Sequence, residues 1–298
     1  MESAKLVSVI MTCHNGETFL KNALESIINQ TYSNWELIFY DNCSTDSSEA
    51  ILNKYNDTRV KYFKSENLVN LGIIRKLAFK KCQGEFVCFL DVDDYWSKLK
   101  LQKQIEKFKT NENLDVLYTN YNKVKNLEIT KTKKNLSSGY CQKEIIASYI
   151  KGEPLTAWLT LMIKKSSMDK LEYSFDENTH IASDFDLIIR LSVFCNFDYN
   201  EEYLAFYRLH GKNETNNKKK QINKEFVYII DKYKKNKEIS NLFKEKNFAN
   251  KIYIKYLIFQ KLSKSSSLDK VFIESKILKL IFFIIKITPK KILNHLIK

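Results

Sequence analysis

The chain has 298 residues, of which 44% are hydrophobic and 13% aromatic, and this composition excludes a largely disordered protein. The length is enough for one large domain, or for one domain with an extension. The 6 cysteines form no Cys-x-x-Cys pair, so we expect reduced thiols without a structural metal. The first apolar run, 6–11, is too short for a signal peptide or a membrane span, which favours a cytoplasmic protein.

The formal net charge of +14 is concentrated at the carboxyl end. Residues 1–215 carry 28 Lys and Arg against 29 Asp and Glu, whereas residues 216–298 carry 21 Lys, no Arg and 6 acids. This change in charge predicts a domain over 1–215 and a basic helical extension over 216–298. The apolar run 277–287 is too short to span a bilayer. It either packs as a helix face or lies on an anionic membrane surface, with lysines on the lipid heads, as a peripheral protein of the inner face would.

Strands and helices alternate along the first part of the chain, the pattern of an α/β fold whose mostly parallel sheet is covered by helices on both faces. The predicted elements are strand 6–12, helix 17–30, strand 35–41, helix 46–55, strand 60–63, helix 72–82, strand 86–90, helix 98–108, strand 115–121, a strand and then a helix within 155–171, helix 183–194 and strand 203–210. Asp46 and Glu49 form the pattern of a capping box at the start of the second helix. The polar stretch 122–138 predicts an irregular loop.

Three polar clusters directly follow predicted strands, at 12–17, 41–46 and 91–94. In an open parallel sheet, ligands bind beyond the carboxyl ends of the strands. We therefore expect the three clusters to meet in one crevice.

The third cluster is the most acidic, because a buried strand leads directly into Asp91, Asp93 and Asp94. Strand alternation predicts that Asp91 and Asp93 lie on one side, where they repel each other unless a cation or a hydrogen-bonded sugar lies between them. Carboxylates suit Mg²⁺ or Mn²⁺, which need only one or two of them when phosphate oxygens supply the remaining ligands. From these residues alone, a solvated acidic turn is the alternative.

Four segments, in this order, resemble family 2 of the glycosyltransferases. They are VSVIMTCHNGETFL, NQTYSNWELIFYDNCSTD, GEFVCFLDVDDYW and SDFDLIIRL. The resemblance is specific over 7–94, extends more weakly to His210 and is absent from 216–298. It implies the GT-A fold, inverting transfer and a nucleotide-diphosphate sugar as the donor.

The resemblance also implies a nucleotide-binding set. In the family, the segment after the first strand holds the nucleobase, the residue after the Asp of the second strand bonds the base, and a basic residue of the third helix lies near base or phosphates. The first Asp of the Asp-x-Asp pair lies near the ribose. The nucleotide-binding residues predicted in this way are Thr12, His14, Glu17, Asp41, Asn42, Arg75 and Asp91.

The reacting groups follow from the same resemblance. Asp93, together with Asp91, is implied to bind the divalent cation, and His210 stands where some members place a histidine that contacts metal or phosphate. Asp184 matches the second residue of the family's Glu-Asp pair and is the implied catalytic base, which takes the proton of the acceptor hydroxyl. A glycan or lipid-linked acceptor of surface polysaccharide or lipopolysaccharide synthesis is the implied partner.

This sequence departs from the family pattern at three positions. His14 replaces the usual Tyr, Asn42 a frequent second Asp, and Ser183 the Glu of the Glu-Asp pair. An amide at position 42 can accept from an imide N–H and donate to a carbonyl, which favours a UDP or dTDP sugar over GDP without excluding guanine.

Plainer interpretations exist for the same residues. His14 could cap the first helix, Arg75 could be a solvated charge, and His210 could be structural. Asp184 and Asp186 could simply be acids that a helix N-terminus favours.

Other functions are less consistent with the sequence. A sugar-nucleotide nucleotidyltransferase would need a Gly-rich, basic phosphate loop after the first strand, which TCHNGETF lacks. A glycosidase would also use two carboxylates, but the strand-end Asp-x-Asp favours a metal and a nucleotide. A nucleic-acid-binding protein would fit the basic extension, but base-edge readout favours Arg, which the extension lacks. We therefore expect no nucleic-acid partner.

Overall fold

The computed structural model of the protein describes residues 4–131 and 157–233. The chain divides into two compact units, Met1–Gly211 and Lys212–Lys298. The predicted boundary after residue 215 lies close to this division. Most of the predicted extension, including the run 277–287, lies outside the described residues.

The first unit contains most of the secondary structure in the described residues. Its first half consists of β1 Val7–Cys13, α1 Glu17–Ile28, β2 Trp35–Asp41, α2 Ser48–Leu52, β3 Val60–Lys64, α3 Leu71–Phe79, β4 Phe86–Phe89, β5 Tyr95–Trp96 and α4 Lys100–Thr110. Its second half consists of β6 Val116–Lys125, β7 Glu128–Lys131, a short 3-10 helix Trp158–Thr160, β8 Met162–Lys164, α5 Lys165–Asp169, α6 Ser183–Leu191 and β9 Phe197–Arg208. The second unit begins with α7 Glu214–Asn217 and α8 Lys219–Tyr233.

The strands of the first unit form one mixed sheet in the order β3-β2-β1-β4-β8-β6-β9-β5, with β7 paired to β6. Strands β1, β2, β3 and β4 are parallel to one another, and β8 runs antiparallel between β4 and β6. Successive β1 side chains enter opposite cores, since Val9 packs with residues of α1 and α4 while Ile10 packs with residues of α3 and α6. The predicted α/β class, with helices on both faces of the sheet, is confirmed.

Two local predictions are wrong. The helix predicted over 46–55 spans only Ser48–Leu52, and Ser47 at its N-cap makes no side-chain capping bond. Glu49 instead binds Lys64 at 2.7 Å, so there is no capping box. The first part of the loop predicted over 122–138 is a β-hairpin, because buried and exposed side chains alternate from Asn122 to Lys125 and this segment pairs with β7.

Within the described residues, no helix combines the length and the apolar character that crossing a bilayer would require.

Candidate active site

The loops after β1 and β2 bind each other through side chain to main chain hydrogen bonds. The Glu17 N–H donates to Asp46 at 2.9 Å, and the Glu17 carboxylate accepts from the Ser47 N–H at 3.0 Å. The Gly16 N–H donates to the Ser48 hydroxyl at 2.9 Å. The acidic groups of Glu17 and Asp46 therefore hold these two loops together.

The acidic turn after β4 joins them at Gly16. A Cβ atom added to Gly16 would lie 3.0 Å from the side chains of Cys13 and of Val92, so glycine allows the turn to come this close. The three predicted clusters therefore meet, as expected from the carboxyl ends of neighbouring parallel strands.

The acidic turn itself differs from the prediction. Strand β4 ends at Phe89, and the Asp94 N–H donates to the Asp91 carbonyl at 3.1 Å, which closes a turn. Strand alternation therefore does not set the directions of Asp91 and Asp93. Asp91 contacts an arginine and Asp93 contacts a histidine.

The partner of Asp91 is Arg75, which is only 5% exposed. Its Nη2 donates to Asp91 Oδ1 at 3.3 Å, its Nη1 donates to the Ser183 hydroxyl, and its guanidinium lies 4.4 Å from the centre of the Trp158 ring. A guanidinium stacked on an aromatic face and bonded at both ends is held rigidly. Arg75 is thus a buried link between the acidic turn and α6, and it is not a solvated helix charge.

Asp184 lies beside this link in the first turn of α6 and is half-buried. Burial raises its pKa to about 6, because the carboxylate loses hydration. The charge of Arg75 opposes this rise, and the charge of Asp91 adds to it. Asp186 is different, since it is fully buried and paired with Arg190 at 2.7 Å. Of these two acids, Asp184 is the one that the acidic turn and Arg75 influence.

A glycine brings α3 and the segment before α6 together. The Gly72 N–H donates to the Thr179 carbonyl at 3.1 Å, and the Leu71 N–H donates to His180 Nδ1 at 3.0 Å. A Cβ atom on Gly72 would lie only 2.0 Å from the Asp176 carbonyl oxygen. The helices that carry the buried arginine and the half-buried carboxylate are therefore fixed by direct backbone contact.

Asp93 contacts the end of β9. Its Oδ2 lies 2.9 Å from His210 Nε2, and the His210 ring packs on Phe19 with 4.6 Å between ring centres. Arg208 donates through Nε to the Asp93 carbonyl at 2.9 Å and through its main-chain N–H to Asp94 Oδ1 at 2.8 Å. Burial raises the pKa of Asp94 well above its usual value, and the neighbouring Asp93 charge raises it further. The buried Asp94 therefore binds the turn to the main chain of β9, while Asp93 contacts His210.

The side chains of Asp93, His210 and Asp91 have the oxygen and nitrogen atoms that could hold a divalent cation together with the oxygens of a diphosphate. Among the described residues, no three His, Cys, Asp or Glu side chains are arranged to hold a metal on their own. The Asp93 carboxylate and the His210 imidazole lie side by side, however, and Asp91 belongs to the same turn. A small, hard divalent cation accepts one or two carboxylates when phosphate oxygens complete its coordination.

The residues predicted to bind the base lie at the ends of β1 and β2, and most of their polar atoms already have hydrogen-bond partners within the protein. Thr12 is buried at the end of β1, and the exposed His14 lies with Nδ1 2.9 Å from the Asn42 carbonyl oxygen. The Asn42 amide pairs with both main-chain groups of Val69, accepting from its N–H at 3.0 Å and donating to its carbonyl at 2.8 Å. Asn42 therefore holds the loop between β3 and α3, and its contact with a base stays a prediction.

Asp41 is fully buried, with its carboxylate turned toward internal donors. It accepts from the Ser44 N–H at 2.8 Å and from the Tyr62 hydroxyl at 3.1 Å, and Lys64 lies 3.8 Å away. Burial, and then the Asp41 charge, raise the pKa of Tyr62, so its hydroxyl remains a donor. A role of Asp41 in nucleotide binding stays a prediction.

Three residues that contact the site, Trp158, His180 and Arg208, have no role predicted from the sequence. Trp158 lies in the segment 155–171, which the sequence predicts as a strand and then a helix, and His180 lies in a segment without a recognisable pattern. The contacts of both residues depend on tertiary packing. Arg208 had a usable signal, because it lies two residues before His210 at the end of a predicted strand and therefore on the same side.

Comparisons with known proteins agree with this architecture. Residues 8–171 match the family model described as Glycosyl transferase family 2. An uncharacterized glycosyltransferase of Methanocaldococcus jannaschii is 30% identical over 269 residues, which cover 86% of each chain. The UDP-Glc:alpha-D-GlcNAc-diphosphoundecaprenol beta-1,3-glucosyltransferase WfgD of Escherichia coli is 36% identical over 124 residues, which cover 42% of this chain and 49% of WfgD.

Two solved structures are similar in fold. S. aureus TarS 1–349 in complex with UDP-GlcNAc has a TM-score of 0.66 at 19% identity, covering 94% of this chain and 79% of that one. The mannosyltransferase PcManGT from Pyrobaculum calidifontis, in complex with GDP-Man and Mn²⁺, has a TM-score of 0.62 at 12% identity, covering 89% and 77%. The predicted GT-A fold is confirmed.

Proposed function

This chain belongs to glycosyl transferase family 2, and we propose that it transfers a sugar, with inversion, from a nucleotide-diphosphate sugar to a hydroxyl of a glycan or lipid-linked glycan acceptor. The observation that carries the proposal is the buried Arg75, which contacts Asp91 and Ser183 beside Asp184. This link places the acid implied as the base next to the turn implied to hold the donor. Surface polysaccharide synthesis is the proposed context.

We propose that the nucleotide of the donor is UDP or dTDP in preference to GDP. The names of two similar proteins support a uridine nucleotide, since WfgD uses UDP-Glc and TarS was solved with UDP-GlcNAc. The name of WfgD also supports a lipid-linked acceptor, because its own acceptor is alpha-D-GlcNAc-diphosphoundecaprenol.

In the proposed reaction, Asp184 removes the proton of the acceptor hydroxyl while the oxygen attacks the anomeric carbon. A pKa of about 6 leaves the carboxylate ionised at neutral pH, yet basic enough to take a proton. Arg75 holds α6 against the acidic turn, so the base keeps its place relative to the donor. The nucleoside diphosphate leaves from the opposite face of the sugar.

The residues proposed to hold Mg²⁺ or Mn²⁺ are Asp93, Asp91 and His210. Such a cation, when bound, stabilises the negative charge that builds on the leaving diphosphate. Arg208 and Asp94 fix the main chain of the turn, and Phe19 fixes the plane of the His210 ring. The Mn²⁺ in the PcManGT complex supports this proposal.

We also propose a peripheral position on the inner face of the membrane, through the lysine-rich residues 216–298. The net charge of this segment supports contact with anionic lipid. Co-sedimentation of the full chain with anionic vesicles should weaken as salt rises, and salt-independent retention would contradict an electrostatic contact.

The proposed reaction is tested by nucleoside diphosphate release from a panel of nucleotide sugars, with Mn²⁺ and a diphosphoundecaprenol-linked sugar as acceptor. We expect Asp184→Asn to lower kcat by 10²- to 10⁴-fold, because general base catalysis is lost. Glu177→Gln is the matched control, since Glu177 is an exposed acid that precedes α6 and pairs with Lys76 of α3. Wild-type turnover by Asp184→Asn would overturn the assignment of the base.

A further inference from the structure

The hairpin formed by β6 and β7 has an unusual residue at its turn. Lys125 pairs with Glu128, so the connection consists of Asn126 and Leu127 alone. Both residues have positive φ, 48° and 70°, as two-residue hairpin turns of type I′ require. Asn suits the first position, but the second is normally taken by glycine, because a side chain is strained there. Leucine at this position therefore has an unfavourable backbone conformation.

This leucine is also the most exposed large apolar side chain in the described part of the chain. Leu127 is 90% exposed and Ile129 is 59% exposed, and they are two of the five large apolar residues exposed there. They lie two positions apart at the end of one hairpin, which we call the hairpin tip, residues 125–129. Strain and exposure of an apolar side chain at the same residue indicate a function, because neither favours folding.

The hairpin that carries the tip is rich in exposed lysines. Lys123, Lys125 and Lys131 are all exposed, whereas Glu128 is the hairpin's acidic residue. Exposed apolar side chains on a lysine-rich hairpin match the interface of an anionic bilayer, where acyl chains lie below negatively charged headgroups.

We propose that the hairpin tip docks on an anionic lipid surface, with Leu127 and Ile129 entering the boundary between headgroups and acyl chains and the lysines contacting the headgroups. This contact is separate from the one proposed for residues 216–298. It does not depend on sugar transfer, so either proposal can fail alone.

Two other roles, protection of a sheet edge and association of two copies, explain fewer features of the hairpin tip than lipid docking does. Lysines on an edge strand such as β7 discourage pairing with other chains, but that role does not require an exposed leucine at positive φ. A second protein copy is a poor occupant, because a stable interface buries about 800 Å² on each partner and the apolar part of the hairpin tip consists of two side chains.

The hairpin tip also lies beside the active site. Leu127, Ile129 and Val124 line one wall of a cavity of about 410 Å³, and Phe19 and Arg208 are among the residues on its other sides. Phe19 packs on His210, and Arg208 bonds the acidic turn. A bilayer at the hairpin tip would therefore lie next to the groups that flank the site, within reach of an amphipathic molecule in the membrane.

A local probe tests the contact independently of any other membrane-binding segment. Leu127→Trp in the full chain is mixed with vesicles of phosphatidylcholine containing about one third phosphatidylglycerol. The three native tryptophans are buried, so the difference from the wild-type spectrum reports position 127. We expect a blue shift of the added tryptophan and its quenching by brominated lipid. Phosphatidylcholine alone should give a smaller change, because the lysines then lack anionic partners.

Phe194→Trp is the matched control. Phe194 is 43% exposed and lies near the start of β9, which pairs with the start of β6, at the opposite end from the hairpin. We expect neither a blue shift nor quenching there. An unchanged spectrum for Leu127→Trp with bound vesicles, or equal quenching at both positions, would overturn the proposal. A blue shift that grows with protein concentration, without quenching by brominated lipid, would instead show that the hairpin tip mediates self-association.

Leu127→Gly is a second test, because we expect it to affect stability and vesicle binding in opposite directions. Glycine relieves the strain at positive φ, so the thermal midpoint should stay the same or rise, while affinity for anionic vesicles should fall about tenfold. Lys123→Gln and Lys125→Gln should each lower that affinity about fivefold at low salt. A glycine variant that binds vesicles as the wild type does would contradict the proposal, whatever its stability.

Discussion

The loops after β2 and β4 are both acidic, yet their carboxylates have different partners. After β2, Asp41 and Asp46 accept hydrogen bonds mainly from main-chain N–H groups and hydroxyls, and Asp41 is fully buried. After β4, the Asp91 and Asp93 side chains are 38% and 26% exposed and face Arg75 and His210. Both loops lie at the same edge of the sheet.

This difference separates acids that build the crevice from acids that remain available within it. A buried carboxylate whose oxygens are bonded by the main chain stabilises a loop conformation, and a ligand would have to displace those bonds. A partly exposed carboxylate beside a cationic side chain can exchange that partner for a metal or a substrate. Position at the end of a strand does not distinguish the two kinds, so the contacts must be known.

The largest expected effect is on the loop after β4. Asp93→Asn should lower kcat/KM by about 100-fold or more, because the proposed cation, which would stabilise the negative charge on the leaving diphosphate, loses a carboxylate ligand. The urea midpoint should change little, since the carboxylate is partly exposed. Asp57→Asn is a suitable control, because Asp57 also pairs with a cation, Arg59, but in a different loop. Equal losses of activity in Asp93→Asn and Asp57→Asn would contradict a special role for the acids of the loop after β4.

An effect of intermediate size is expected from pH. Asp184 acts as a base only when ionised, and its pKa is raised to about 6, so kcat/KM should fall about tenfold per pH unit below that value. The unfolding midpoint, followed over the same range, separates this effect from acid denaturation. A rate that stays constant down to pH 5 in folded protein would exclude Asp184 as the base.

The smallest effect on turnover is expected for the loop after β2. Asp41→Asn should lower the free energy of unfolding by about 1–3 kcal/mol, because an amide nitrogen cannot accept from the Tyr62 hydroxyl or the Ser44 N–H. Urea titration measures this loss. The kcat/KM of the folded variant should stay close to that of the wild type, and a large increase in the Kd for nucleotide would instead give Asp41 the binding role that the sequence predicts.

Much of the fold could be predicted from the sequence, because the elements near the amino end have strong periodicity. The strand 35–41 is found as predicted, and α1 begins at Glu17 as predicted. The hairpin is not predictable in this way, because its turn lacks glycine and its second strand has no buried side chain. The predicted helix after β2 begins too early and ends too late, because Asp46 bonds the Ser48 N–H and the Glu17 N–H without serving as the cap.

The site could be predicted in part for a similar reason. Sequence motifs identify which acids lie at the strand ends, and Asp93 and His210 do lie together. The motifs do not contain the packing that buries Arg75 against Trp158, nor the backbone contact at Gly72 that brings α3 to the segment before α6. Those features join segments more than 80 residues apart, and no local pattern encodes them.

The pairing of Asn42 with Val69 limits which residue the protein can carry at position 42. The amide presents one donor and one acceptor to the main chain of Val69, much as one base edge does to another. An aspartate at this position, as the family frequently has, would offer only acceptors and would repel the Val69 carbonyl. Exchange of Asn42 for aspartate would therefore require a different backbone path between β3 and α3.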